Sequence, residues 1–261
     1  MRTTVGLVLA LLFNSGCDYY FGDDDESGAD GSDDGTTDDG SDDDGVGPDA
    51  AVPVPDAQAV CDPAAILPEG WLPVAEVSAG AVTNEPDPKL ADVFTTTVDA
   101  SAGGSAGQAT QPFVYLDLEA EGGAGAVEID DVASFESTEW DIALKRFVVR
   151  SNSGDSGPAD NEVATVQSEE LTFDDEVPSQ LFSDDDWSSD DCALVRDATG
   201  GPRTRFSNWY QVEAGRFEAQ PVVHLVRLGD GRYAEIDVVT YYGDEANPQR
   251  SGIYVLRWRR F

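Results

Sequence analysis

Residues Val222–Tyr242 read VVHLVRLGDGRYAEIDVVTYY. Two runs rich in valine, leucine, isoleucine and tyrosine flank Gly229-Asp230-Gly231, a composition that reads as two strands joined by a tight turn. Glycine supplies the positive φ such a turn needs. With all three residues in the loop, Leu228 faces Arg232, Val226 meets Ala234, His224 meets Ile236 and Val222 meets Val238. One face of the hairpin is then apolar and the other carries Arg227, Tyr233, Glu235 and Asp237. A two-residue Asp-Gly turn instead sets His224 against Asp237 and mixes the faces. A one-residue slip moves every side chain across the sheet, so the first register is the expected one.

The same short apolar runs, bounded by Gly, Pro, Asn and Asp, recur outward from this hairpin. They fall at Val93–Val98, Phe113–Leu118, Ala126–Ile129, Ile142–Arg150, Val163–Val166 and Ile253–Phe261. No window of helical length sustains a 3.6-residue period. Many short strands without helical crossovers imply an all-β, antiparallel fold of sandwich or barrel-like sheets. The chain ends in Phe261, but stepping back by twos meets Arg259 and Arg257. A lipid-facing barrel strand would need apolar residues there, so this reads as a soluble strand contributing positive charge.

Charge divides the chain. The 261 residues carry 52 Asp and Glu against 15 Lys and Arg, a formal net charge of −37. Such a polyanion repels phosphate backbones, which excludes nucleic acid as a partner. From Asp18 to Asp56 there are 15 acids and no base, whereas from Cys192 to Phe261 there are 8 acids and 10 bases. The last third is therefore slightly basic inside an acidic protein.

Residues 1–17, MRTTVGLVLALLFNSGC, hold one Arg, an apolar run Val5–Phe13 and then small residues. The run is shorter than the roughly 20 residues a spanning helix needs, and its flanks suit an export signal. Ser15-Gly16-Cys17 resembles the lipobox of bacterial lipoproteins, with Asn14 departing from the usual aliphatic residue. The expectation is lipidation at Cys17 and a membrane partner through that anchor. Residues 18–60 are rich in Asp, Gly and Ser and then in Pro, too poor in apolar surface to fold, and read as a disordered acidic tether. Calcium on its Asp-x-Asp spacings is the alternative, but no EF-hand loop can be drawn there. Residues 61–261 are left as a single β domain. Its Cys61 and Cys192 form an even pair, in an exported protein most simply a disulfide.

Catalytic constellations are missing. His224 is the single histidine and sits among Val222, Val223, Leu225 and Val226, which suggests a buried strand position. No P-loop, HExxH or dinucleotide fingerprint is present, and with so many acids a pair of carboxylates at any spacing arises by chance. The chain does not read as an enzyme.

Two stretches together resemble the HmuY family of haem-binding lipoproteins. One is Trp140-Asp141-Ile142-Ala143-Leu144-Lys145-Arg146-Phe147, running on to Gly157. The other is Val226–Ala234 with Tyr241-Tyr242, then Ser251-Gly252 and a final aromatic strand. Read as residues, Trp140, Ile142 and Leu144 share one strand face and enter the core, while Asn152 and Gly154 turn the chain.

The resemblance implies an antiparallel β-fold with a cleft that captures haem, in the best-known form between two histidines. With one His and no methionine beyond the initiator, that pair is impossible here. What the resemblance leaves is His224 alone, a phenolate of Tyr210, Tyr241 or Tyr242, or haem held without an axial residue. Arg203, Arg205, Arg227, Arg232, Arg257, Arg259 and Arg260 would pair with propionates or with the protein's own carboxylates. Haem or a haem-carrying protein is the implied partner, and the cell envelope the implied location, at the outer membrane or cell surface in preference to the inner membrane. The alternative is a non-haem ligand-, cation- or protein-binding module of the same fold, suggested by the missing ligands and by the acidic stretch Ser183–Asp191 around Trp187.

Overall fold

The structure, a computed structural model, describes residues 61–90, 92–167, 181–243 and 251–261. The expected export signal with Cys17 and the tether over 18–60 lie outside the described residues.

Twelve strands occur among the described residues: β1 Val82–Pro86, β2 Val93–Asp99, β3 Val114–Asp117, β4 Gly125–Val127, β5 Ile142–Lys145, β6 Val148–Ser151, β7 Val163–Gln167, β8 Tyr210–Glu213, β9 Arg216–Ala219, β10 Val222–Arg227, β11 Tyr233–Thr240 and β12 Ile253–Arg260. Two short helices, α1 Pro63–Ile66 and α2 Asp131–Ser134, are each N-capped by the carboxylate that precedes them, Asp62 and Asp130. Six strands form one sheet in the order β1-β2-β12-β11-β10-β7, four form a second in the order β4-β3-β5-β6, and β8-β9 make a separate ribbon. Every ladder is antiparallel.

The hairpin register is the expected one. Val226 pairs with Ala234 and His224 with Ile236. Leu228 and Arg232 close the loop through Leu228 N–H to Arg232 O at 2.9 Å. Of the turn glycines only Gly231 takes a positive φ, of 84°.

The register sends Val226, Ala234, Ile236 and Val238 into one cluster with Tyr254 and Trp258 of β12 and with Val114, Leu116, Ile142, Leu144 and Val149 of the four-stranded sheet. That shared core makes the two sheets a sandwich. A second apolar layer of Trp71, Phe113, Tyr115, Trp140, Ala143, Val148 and Trp187 covers the outer side of the four-stranded sheet.

Three expectations are corrected. Ile142–Arg150 is two strands, turned at Arg146, whose φ is 50° although it is not glycine. Contacts hold that turn from outside: Arg146 N–H donates to Ala100 O at 2.8 Å, and Tyr254 Oη donates to Arg146 O at 2.8 Å. Trp140 does not share a face with Ile142 and Leu144; it precedes the strand and enters the second layer. Gly154 turns the chain as expected, with φ of 54°, but Asn152 is a buried clamp, its Nδ2 donating to Ser137 O at 2.9 Å and Trp140 O at 2.7 Å. Strands β1, β8 and β9 have no counterpart in the sequence reading.

The expected bridge between Cys61 and Cys192 is present, with Cα atoms 5.4 Å apart across 131 residues of sequence. It fastens the segment carrying buried Leu67 and Trp71 against the second layer.

Candidate ligand cleft

His224 occupies the middle of β10, paired on one side with Ile236 of β11 and on the other with Thr165 of the edge strand β7. The alternation that places Val226 in the core places His224 there too, and the side chain is wholly buried. Its ring lies on that of Phe206, centroids 4.5 Å apart. Burial pushes its pKa down to about 3, so the imidazole is neutral at physiological pH. Nε2 lies 2.9 Å from Asn208 Oδ1, which sets the tautomer with the proton on Nε2. Nδ1 has no hydrogen-bond partner.

Asn208 and Phe206 come from a loop that runs across the β7 edge of the sandwich. Thr204 Oγ1 donates to Val149 O at 2.6 Å and Trp209 Nε1 to Phe147 O at 3.0 Å, fixing the loop on both sides of Asn208. Asn208 itself is exposed. It opens onto a cleft of about 550 Å³ whose walls include Thr165, Leu181, Asp197, Arg203, Arg205 and Asn208. Arg205 Nε donates to Asp184 O at 2.6 Å. Asp197 accepts from Tyr210 Oη at 2.8 Å and from the backbone N–H groups of Thr199 and Gly201, each at 2.9 Å. Several other arginines are paired internally, Arg227 with Glu162, Arg232 with Asp230 and Arg259 with Glu235. The cleft therefore presents two guanidinium groups beside polar acceptors.

The residues expected as iron ligands are not brought together. Tyr210 reaches the rim of this cleft only through Asp197, and burial raises its pKa. Tyr241 and Tyr242 instead line a separate cleft of about 290 Å³ beside β9. Tyr241 is enclosed by Trp209, Phe217, Tyr242 and Tyr254, its hydroxyl has no partner, and burial pushes it up to about 12. Tyr242 Oη accepts the Phe217 N–H at 2.9 Å, and Arg216 lies over its ring at 4.8 Å.

This donor set does not fit a haem iron held between two axial side chains: the one imidazole is enclosed and capped, and the phenols are buried in a different place. Among the described residues no group of three or more His, Cys, Asp or Glu is placed to hold a metal ion. The sequence reading missed Asn208, Phe206, Asp197 and Thr165. Nothing in TRFSNWY, residues 204–210, singles out Asn208 until the loop is folded against β10.

The family described as HmuY protein matches residues 109–254. Among solved structures, a protein of Bacteroides vulgatus described as HmuY-like and haem-binding superposes with a TM-score of 0.43 and 18% identity, over 70% of this chain and 97% of that one. A Bacteroides fragilis protein described as a lipoprotein gives a TM-score of 0.40 and 20% identity, over 67% of this chain and 92% of that one. The apo form of a HmuY analog from Tannerella forsythia gives 0.37 and 14%, over 70% and 97%. No curated protein matches the chain.

Proposed function

The chain belongs to the HmuY family, and from that premise we propose that it is a lipid-anchored protein of the bacterial cell envelope that captures haem or a related tetrapyrrole. Membership makes it a HmuY-type binding protein and not an enzyme. Cys17 is its anchor, 18–60 its tether and 61–261 its single binding domain, carried at the outer membrane or cell surface.

The observation that carries the reading is the cleft of about 550 Å³ with Arg203 and Arg205 in its wall. Its volume falls in the range of about 300–1,000 Å³ usual for ligand sites, and guanidinium groups match the carboxylates a tetrapyrrole carries. The enclosed His224 leaves the grip to those peripheral charges.

Titrating the full chain with haemin and with iron-free protoporphyrin tests it. Both should saturate with equal affinity, and the double substitution Arg203→Ala, Arg205→Ala should weaken both about tenfold or more, as loss of hydrogen bonds to charged groups does. A second reading, a non-haem ligand or partner protein on the same fold, is favoured by the closure of His224, Tyr241 and Tyr242. Absence of saturable binding by either tetrapyrrole would establish that second reading over the first.

A further inference from the structure

We propose that His224 acts through Asn208: its buried Nε2–H holds the Asn208 amide with the oxygen inward, so that the Nδ2 group is presented to the cleft as a fixed donor in the same wall as the Arg203 guanidinium, and this pair clamps a ligand carboxylate. The proposal rests on the reading of this cleft as the ligand site and adds to it the chemical group that the site recognises.

The orientation of the amide follows from hydrogen-bond accounting. Asn208 Oδ1 lies 2.9 Å from His224 Nε2, and an amide oxygen only accepts, so the imidazole proton is on Nε2. The opposite orientation would turn Nδ2 toward His224 and move the proton to Nδ1, which is buried and has no partner. An orphaned buried N–H is a rarer defect than an unused acceptor and leaves its desolvation uncompensated, so the first arrangement wins. The Phe206 ring stacked at 4.5 Å holds the imidazole plane, and the wholly buried histidine has no room to turn away. Asn208 is exposed and lines the cleft, and no described residue accepts from its Nδ2. His224, which does not line the cleft, is thus a positioning residue, and Asn208 is the residue that touches the ligand.

Arg203 completes the pair. It is exposed, lines the same cleft and forms no ion pair with a described carboxylate. Arg205 is more committed, its Nε donating to Asp184 O at 2.6 Å and its charge acting on Asp186. Asp197 has both oxygens occupied, Oδ1 by the N–H groups of Thr199 and Gly201 and Oδ2 by Tyr210 Oη, so it does not compete for the free donors. Arg203 and Asn208 belong to one loop, which the bonds of Thr204 to Val149 O and of Trp209 to Phe147 O pin between them and just beyond. Donors of this kind bind a carboxylate through charge-assisted hydrogen bonds, roughly twice as strong as neutral ones.

The probe is iron-free protoporphyrin, a dicarboxylic acid, against its dimethyl ester, which keeps the ring and lacks the charges. By porphyrin fluorescence the full chain should bind the acid about tenfold or more tightly than the ester. Asn208→Asp keeps an acceptor for His224 but replaces the donor with a carboxylate, and should erase that preference, whereas Asn208→Ala should reduce it about fivefold. His224→Phe, which keeps a ring on Phe206 and releases the amide, should reduce the preference about threefold with Asn208 unchanged. The chain has a single histidine, so a long-range proton-nitrogen NMR spectrum of the imidazole reads this site alone and should show the proton on Nε2. Should His224→Phe fail to fold, the parent spectrum and the Asn208 variants still decide the matter. A proton on Nδ1, or an Asn208→Asp protein with the parent's preference for the acid, overturns the clamp. If neither porphyrin binds but succinate saturably shifts the Asn208 side-chain amide resonances, the clamp stands and the tetrapyrrole reading falls. If succinate shifts nothing either, both fall.

Discussion

Asp185 Oδ2 accepts a hydrogen bond from Ser156 Oγ at 2.8 Å, joining two loops at the end of the four-stranded sheet. The same carboxylate accepts the backbone N–H groups of Ser151 at 3.1 Å and Arg205 at 2.7 Å. It thus ties β6 to the loop that carries Asn208, and it does so wholly buried.

That burial sets the first expectation. Desolvation raises Asp185 from 3.8 to about 6, and Asp141, bonded to Leu118 N and Asn161 Nδ2, is raised to about 6 by the same cause. A folded-state pKa above the unfolded one contributes stability that is full below about 4 and is lost as pH rises through 6. The protein should therefore be more stable to urea at pH 5 than at pH 7, each carboxylate contributing at most about 3 kcal/mol. Asp185→Asn at pH 7 should nevertheless lose about 2 kcal/mol, because an amide keeps one acceptor where three donors converge. A urea midpoint that falls between pH 7 and pH 5 would refute the assignment.

The Cys61–Cys192 bridge closes a loop of 131 residues. In the chain-entropy account a loop of that length is worth roughly 4–5 kcal/mol through the unfolded state. Reduction of the full chain, or Cys61→Ser with Cys192→Ser, should lower the denaturation midpoint accordingly. It should also expose Trp71, which the bridged segment carries to the second layer, as a red shift in tryptophan emission. An unchanged midpoint on reduction counts against any role for the bridge in stability.

A Cβ added at Gly157 would lie 2.0 Å from Asn152 Oδ1 and 2.9 Å from Trp140 Cζ2. Asn152 has no room to yield, since its amide already holds the carbonyls of Ser137 and Trp140 and the N–H of Ala159. Gly157→Ala should cost about 3 kcal/mol from overpacking together with broken buried hydrogen bonds. Gly229→Ala, where an added Cβ meets nothing within 4 Å, should be nearly neutral and serves as the control. Equal melting temperatures for the two variants would show that the Asn152 clamp is soft.

These cases explain which parts of the molecule can be read in the sequence. The β10–β11 hairpin was legible because its information is local: alternation, a Gly-Asp-Gly loop and a register that any slip would spoil. The disulfide was legible from an even pair of cysteines in a chain whose first residues read as an export signal. The β5–β6 turn was not, because Arg146 holds a positive φ through contacts with Ala100 and Tyr254, both far away in sequence. The β8–β9 ribbon escaped notice because each strand is only four residues long and, of the eight residues, only Tyr210 is buried. The cleft was the least legible, since it exists only where a loop without sequence signature meets a strand edge. His224 was foreseen as a buried strand residue, yet Asn208, which accepts its Nε2–H, is an ordinary loop asparagine until folding brings them to 2.9 Å.

Lys145 yields the last expectation. Its side chain is wholly buried in the second layer, its Nζ 5.4 Å from the Phe113 ring and 6.0 Å from Trp71, with no hydrogen-bond acceptor among the described residues. Desolvation lowers its pKa from 10.5 to about 8, with Arg150 adding repulsion and Asp131 opposing both. A depressed lysine pKa means the folded state carries a penalty that is full below about pH 8 and fades as pH rises toward 10.5. The shift corresponds to at most about 3 kcal/mol, whereas a desolvated cation–π contact returns about 2 kcal/mol. The penalty wins, so Lys145→Met, which keeps the length and removes the charge, should match or exceed the parent's stability by about 1–2 kcal/mol at pH 7. The advantage should shrink between pH 8 and 10, measured as the difference in urea unfolding free energy between the two proteins. If Lys145→Met is instead the less stable protein at pH 7, the aromatic rings of Phe113 and Trp71 hold the ammonium more strongly than burial expels it.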